Sequence, residues 1–293
     1  MRIVIVGGSG FVGRNIAEQL ITKATIFKTS RRQGEPGYIY FDFEVTSSWN
    51  NVAELLPDII INAAAYGVIK HESELKEMYE INYFRPADFY EYLQKHGCKP
   101  FWLQLGTAFE YDLSIEGGIT EKGKCVPRTH YGISKLQFAN YLLNKADHGT
   151  FSIFRPFGMF GEYENETKFF PMLIKAQQNK IPVELSPGIQ ERDYFLVDDL
   201  ANFISDLIKN DTFHQLPNIL NLGRGKSYSF KYLADCMMAH IPGFDNKFWK
   251  WGMQAIREGE SKQFYNSSTL ANSLGFKCTT LSKAIEKLVS SYY

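Results

Sequence analysis

Tyr131 and Lys135 stand four residues apart in Tyr131-Gly-Ile-Ser-Lys135, inside a stretch, 129–145, whose Ile133, Leu136, Phe138, Leu142 and Leu143 recur with a helical period. Four residues is about one helical turn, so the two side chains share a face and the ammonium comes near the phenol. A free phenol titrates near ~10 and is a poor acid–base group at neutral pH unless a cation stabilises its anion. A lysine one turn on supplies that cation. The same spacing also arises by chance on exposed helices, so the pair needs a companion. Phe101-Trp-Leu-Gln-Leu-Gly106-Thr107 offers one: it reads as a buried strand ending at Gly106, with Thr107 at its carboxyl end. In open parallel sheets that end faces the ligand crevice. The plainer reading is a threonine that merely finishes a strand.

The start of the chain holds the element that would position a ligand for these groups. Residues 2–6 are a β-branched run, as in a strand buried on both faces of a parallel sheet, and Gly7, Gly10 and Gly13 follow at three-residue spacing. The first glycine permits a sharp turn, the second lets backbone approach a pyrophosphate, and the third lets helix pack closely on strand. A helix predicted from Phe11 and Val12 to about residue 20 points its first N–H groups at the phosphates. A glycine-rich βα turn without a ligand is the alternative; the strand–turn–helix context favours dinucleotide binding. The cofactor type is read about 20 residues further on. Ala24-Thr-Ile-Phe-Lys-Thr-Ser30-Arg31-Arg32 has no acid and two arginines. Ser30 with Arg31 or Arg32 therefore suits the 2′-phosphate of NADP(H), with NAD(H) possible and a solvated basic turn the bland reading.

Strand-like runs at 2–6, 25–29, 38–41, 57–62, 100–105 and 151–154 alternate with helical patterns. That rhythm predicts an α/β fold, a Rossmann-type doubly wound parallel sheet. After about residue 160 the alternation breaks up. A helix near 168–179, a loop carrying Arg192, a strand at 219–222 and a helix from Ser229 predict a small mixed α/β C-terminal lobe that closes a substrate cleft. The expected division is a dinucleotide-binding domain over 1–160, to which some later segments return, and a mainly substrate-binding lobe over 161–293.

With 32 basic and 32 acidic residues the net charge is zero, which gives no hint of a nucleic-acid partner. No apolar run nears the ~20 residues needed to span a bilayer, and no charged-then-apolar leader precedes the first strand; no membrane association and a cytoplasmic location are expected. Cys98, Cys125, Cys236 and Cys278 lie far apart without a Cys-x-x-Cys pair, so neither a metal site nor a disulfide framework is expected. The 15% of aromatic residues is read as core filling ahead of base or sugar stacking.

Gly7-x-x-Gly10-x-x-Gly13, Thr107 and Tyr131-x-x-x-Lys135, in this order and separation, resemble the extended short-chain dehydrogenase/reductases, the epimerase/dehydratase family that mostly acts on nucleotide sugars. The similarity runs along nearly the whole chain. It implies that Thr107 binds the reacting sugar oxygen, that Tyr131 is the proton donor, and that Lys135 lowers the phenol's pKa and holds the nicotinamide ribose. Ile59-Ile-Ile-Asn-Ala63-Ala64-Ala65-Tyr66 matches the strand whose exit passes under the cofactor, Asp42 and Phe43 match the adenine contact, and Asn82 matches the helix asparagine that supports the site. Gly188-Ile-Gln-Glu-Arg192-Asp193-Tyr-Phe-Leu-Val-Asp-Asp199 matches a specific signature. The planar fork of Arg192 suits a pyrophosphate, a salt bridge to Asp193 or Asp199 being the alternative. Arg257 matches a second arginine near the substrate's phosphates.

Arg155-Pro-Phe157-Gly158-Met-Phe160-Gly161 departs from the family's Arg-x-x-Asn-x-Tyr-Gly, with Gly158 for Asn and Phe160 for Tyr. Tyr66, Ala108, Phe109, Phe157 and Gly158 complete the implied substrate surround. The family's 4,6-dehydratases carry an acid pair directly after the threonine; here Ala108 and Phe109 follow, and Glu110 comes one place too late. The blocks at 60–67 and 181–194 resemble those of the CDP-abequose and CDP-paratose synthase type. That resemblance implies NADPH-dependent reduction of a 4-keto-dideoxy nucleotide sugar, with pro-S hydride transfer, for bacterial O-antigen and lipopolysaccharide synthesis. The resemblance also implies a homodimer in which the helices at 73–96 and 129–145 of two copies form a four-helix bundle. A nucleotide-sugar 4-epimerase with tightly bound NAD and a non-catalytic dinucleotide sensor are the alternatives.

Overall fold

Strand β1 (Arg2–Val6) is apolar on both faces and is buried on both, between parallel neighbours β2 (Thr25–Ser30) and β4 (Ile59–Asn62). In the computed structural model, which describes residues 1–20, 24–68, 72–114, 116–256 and 261–293, these belong to a seven-stranded sheet. The others are β3 (Ile39–Tyr40), β5 (Phe101–Leu105), β6 (Phe151–Pro156) and β7 (Ile219–Leu222), in the order β7-β6-β5-β4-β1-β2-β3 with every pair parallel. One side of the sheet buries Ile3, Ile5, Ile59, Ile61 and Leu103; the other buries Val4, Val6, Ile60 and Trp102. The strand order reverses between β1 and β4, and a crevice opens there at the carboxyl ends.

The strand at 219–222 was expected in the small lobe; it is the edge strand of the central sheet. Its Leu220, Asn221 and Leu222 are buried against β6, and α3 (Val197–Asn210) precedes it and packs on α1 (Phe11–Gln19). Three other C-terminal helices, Phe169–Asn179, Phe230–Met238 and Leu281–Ser290, enclose a separate apolar core that includes Phe170, Ile174, Leu233, Met237 and Ile285. Among the described residues no helix is long and apolar enough to cross a membrane.

Two further helices frame the crevice. One is α2 (His130–Lys145), capped by the Thr129 hydroxyl, which accepts the Gly132 N–H at 3.1 Å. The other is a rod in three pieces, Leu75–Tyr79, a π turn over Glu80–Phe84, and Arg85–Lys95. The extra residue of a π turn re-aims side chains, a device frequent near functional sites. Here it carries Asn82.

Candidate active site

The turn between β1 and α1 is built for close backbone approach. Gly7 has φ 77°, a conformation open to glycine, and its N–H is held by the Thr29 hydroxyl at 3.2 Å. A Cβ on Gly13 would lie 2.3 Å from the Gly7 carbonyl oxygen, so only glycine lets α1 begin this near the strand. The backbone of Ala63 and Ala64 passes directly beneath Gly7. This cradle, open at the first N–H groups of α1, fits the pyrophosphate of a dinucleotide.

The cradle opens into a cleft of about 600 Å³. Of the residues read from the sequence, its walls hold Gly7, Gly10, Phe11, Val12, Ser30, Arg31, Phe43, Ala63, Ala64, Ala65, Tyr66, Thr107, Phe109, Tyr131, Lys135, Phe157 and Gly158. Thr107 and Tyr131 meet because Gly132 lacks a side chain: a Cβ there would sit 2.2 Å from the Phe109 carbonyl. Helix α2 can therefore start against the turn that follows β5. Burial pushes the Tyr131 phenol far above its ordinary value, the negative charges of Glu110 and Glu72 push it further, and hydrogen bonding with Thr107 pulls it back. At neutral pH the phenol holds its proton and can give it.

Lys135 differs from the sequence expectation in one respect. Its Nζ donates to the carbonyls of Ala64, at 3.0 Å, and Leu105, at 3.2 Å, at the ends of β4 and β5. Burial lowers its pKa to about 8, with Glu110 opposing. The ammonium is thus anchored to the sheet by backbone carbonyls at the ends of two strands.

Six expected residues stand off the cleft. Gly13 is behind the cradle it makes possible. Ala108 is fully buried within the turn after β5. The Asp42 carboxylate accepts the Glu44 N–H at 3.0 Å and so shapes its own turn. Asn82 grips both backbone polar groups of Tyr66, at 3.0 and 2.8 Å, and donates to the Ser134 hydroxyl at 3.0 Å, tying the π turn to α2. Arg32 is exposed, with its N–H on the Ser30 hydroxyl at 3.1 Å. Arg192 donates to the Glu191 carbonyl at 2.7 Å and lies 4.8 Å from the Phe264 ring centre. The Asp193 carboxylate accepts backbone N–H groups of Arg224, Gly225 and Asn266, and Asp199 accepts from Thr279. Arg257 lies outside the described residues.

Several cleft features were not anticipated. Glu35, five residues past the end of β2 and beyond the acid-free stretch 24–32, folds back to accept a hydrogen bond from the Ser30 hydroxyl. Tyr163, Glu164, Asn165 and Lys168 line the far wall, and Lys168 donates to the Val68 carbonyl on the opposite side. Burial raises the Glu164 carboxyl to about 8. The signal was present: a charged run, Glu162-Tyr-Glu-Asn-Glu-Thr-Lys168, directly after the strand Gly158–Phe160. At Gly158 a Cβ would lie 2.7 Å from the Asp193 carbonyl and from the Tyr194 ring, so Tyr194 fills the space an asparagine would need.

A doubly wound sheet with a phosphate cradle at its switch point and a Thr–Tyr–Lys set at its carboxyl ends defines a nicotinamide-dinucleotide-dependent enzyme. Residues 3–223 match the NAD dependent epimerase/dehydratase family, and the chain belongs to it. It is similar to a CDP-abequose synthase of Yersinia pseudotuberculosis, 26% identical over 72% of this chain and 74% of that protein. It is also similar to a putative UDP-glucose 4-epimerase of Methanocaldococcus jannaschii, 25% identical over 94% and 92%. Among solved structures, MoeE5 in complex with UDP-glucose and NAD superposes with a TM-score of 0.85 at 21% identity, over 99% of this chain and 98% of that one. As a member of that family the chain is an NAD(P)-dependent oxidoreductase or epimerase.

Proposed function

We propose that the chain is an NADPH-dependent 4-ketoreductase of a deoxy nucleotide sugar, of the CDP-abequose synthase kind, working in bacterial surface-polysaccharide synthesis. The observation that carries this reading is the end of β5. Thr107 and the Tyr131 phenol face the cleft, while the following residue is the small, buried Ala108. Glu110 turns away from the cleft to Arg155, at 2.7 Å, so no acid pair stands where an elimination needs one. Similarity to the Yersinia CDP-abequose synthase supports the choice of substrate.

Gly7, Gly10 and the first N–H groups of α1 would hold the pyrophosphate, with Gly13 letting α1 begin this near the strand; Ser30, Arg31 and Arg32 would hold a 2′-phosphate. When bound, the nicotinamide supplies a hydride to the sugar carbonyl carbon. Tyr131 donates its proton to the carbonyl oxygen, and Thr107 holds that oxygen in place. Lys135, fixed by two carbonyls, keeps a positive charge beneath the site below about pH 8. Phe109, Phe157 and Tyr194 contribute apolar ring surface to the cleft walls around the reacting groups. Arg192 and Arg257 are proposed for the sugar nucleotide's pyrophosphate. The division at about residue 160, a cytoplasmic location and a dimer through the α2 and 75–95 helices, whose Leu75, Phe84 and Leu143 are exposed, belong to the same reading.

One observation favours a second reading. The Glu35 carboxylate on Ser30 suits ribose hydroxyls better than a phosphate, as in a 4-epimerase that recycles NAD. The test is absorbance at 340 nm with NADPH and a panel of 4-keto nucleotide sugars, beside UDP-glucose without added cofactor. Net oxidation of NADPH is expected; epimerisation of UDP-glucose with no NADPH consumption would overturn the reductase reading.

A further inference from the structure

Behind the cleft lies a pair of buried charges that the proposed chemistry does not use. Glu110 and Arg155 have side chains 0% and 1% exposed, and the Arg155 Nε donates to Glu110 Oε2 at 2.7 Å. Replacing such a pair by apolar side chains of similar volume is often neutral or stabilising, so its presence is poorly explained by stability. Its geometry explains it better. Glu110 Oε1 accepts the backbone N–H of Thr107 at 2.9 Å, and Thr107 Oγ1 accepts the N–H of Phe109 at 3.2 Å. The turn is pinned from both ends, a reciprocal cap around a single turn of helix.

The neighbours are shaped for this contact. Gly106 has no side chain where a Cβ would lie 2.4 Å from Glu110 Oε1. Arg155 comes from β6, the strand beside β5, and its guanidinium lies 4.6 Å from the Tyr111 ring centre. The Tyr111 hydroxyl donates to Asn221 Oδ1 on β7 at 2.8 Å. Three adjacent strands thus aim one carboxylate at one backbone amide, and that amide belongs to the residue opposite the Tyr131 phenol.

We propose that Glu110 is a positioning residue: its carboxylate, aimed by Arg155, fixes the Thr107 amide so that the Thr107 hydroxyl is presented to the reacting oxygen. The proposal rests on the reading of Thr107 and Tyr131 as the pair that handles that oxygen. A displacement of about 1 Å at such a group costs on the order of a hundredfold in rate.

Two double variants isolate the contact, since both remove the ion pair and they differ in the acceptor. E110Q/R155M keeps an oxygen for the Thr107 N–H; E110L/R155M does not. With a 4-keto-3,6-dideoxy CDP-sugar and NADPH, kcat of the leucine double should fall roughly ten- to a hundredfold below that of the glutamine double, with KM and the NADPH Kd within about twofold. Equal kcat in the two doubles would overturn the proposal. If the wild-type protein does not turn over this sugar, the proposed function has failed, and amide hydrogen exchange at Thr107 decides the inference alone. Exchange about tenfold or more faster in the leucine double than in the glutamine double supports it; equal exchange overturns it. In the wild-type chain, a Thr107 amide exchanging at the rate of an unprotected one overturns it without any variant.

Discussion

Replacing Lys135 by methionine converts the burial of one ammonium into a measurable pH dependence. Lys135 is 3% exposed, and burial lowers its pKa from 10.5 to about 8 in the folded protein. Below about pH 8 the folded and unfolded chains both carry the proton, and the burial penalty is fully present. Between about pH 8 and 10.5 the unfolded chain holds the proton while the folded chain has lost it. The unfolded state then binds more protons, so stability rises with pH through this window. A shift of about 2.5 units at ~1.36 kcal/mol each is about 3 kcal/mol, of which roughly 2–3 kcal/mol accrues between pH 7 and 10. Lys135→Met has no such proton. Its lost hydrogen bonds to Ala64 and Leu105 set a constant offset that does not enter the slope. Urea unfolding of both proteins at pH 7, 8, 9 and 10 gives the difference in stability at each pH, with other titrating groups cancelling. The wild-type chain should gain about 2–3 kcal/mol on the variant from pH 7 to 10. A difference that stays flat, or falls, would refute the burial of a lysine whose charge is disfavoured.

Tyr131→Phe should leave NADPH binding nearly intact and lower kcat by roughly 10²–10⁴, as expected on losing a positioned general acid; retention of more than about a third of the wild-type kcat would remove Tyr131 from the mechanism. Arg31→Ala with Arg32→Ala should weaken NADPH roughly ten- to a hundredfold more than NADH, measured by fluorescence titration. Glu35→Gln should tighten NADPH by about tenfold, because the carboxylate competes with a 2′-phosphate for Ser30; weaker NADH with NADPH unchanged would indicate a ribose-binding acid instead. Arg192→Ala should raise KM for the sugar nucleotide with the melting temperature preserved; a lower melting temperature with KM little changed, from loss of the carbonyl bond and ring contact, would refute the pyrophosphate role.

The parts of the site carried by local sequence were legible. Glycines at three-residue spacing after a β-branched run could form little other than a strand–turn–helix, and Tyr131 with Lys135 share a helix face by spacing alone. Glu35 is local too, five residues past Ser30, but it lies beyond the position at which the cofactor acid is read. The parts that depend on long-range packing were not legible. Lys135 is anchored by carbonyls at sequence separations of 71 and 30, so its partners are fixed by the sheet and not by the helix. Glu110, one place too late for the acid pair of a dehydratase, is given its use by Arg155 on the next strand. The strand at 219–222 reads as part of the small lobe because its central-sheet partner is β6, more than sixty residues earlier in the chain. Gly158 gives no sign in the sequence of the Tyr194 ring packed against it, since the two meet only through strand pairing.

The most direct test of the central claim is to mix the purified protein with NADPH and a 4-keto-3,6-dideoxy CDP-sugar, following absorbance at 340 nm and the mass of the sugar nucleotide together. Reduction by the Tyr131 site predicts one NADPH oxidised per sugar consumed and a product heavier by two hydrogens, with both signals lost in Tyr131→Phe. An isomeric product of unchanged mass, formed without NADPH oxidation, would contradict it.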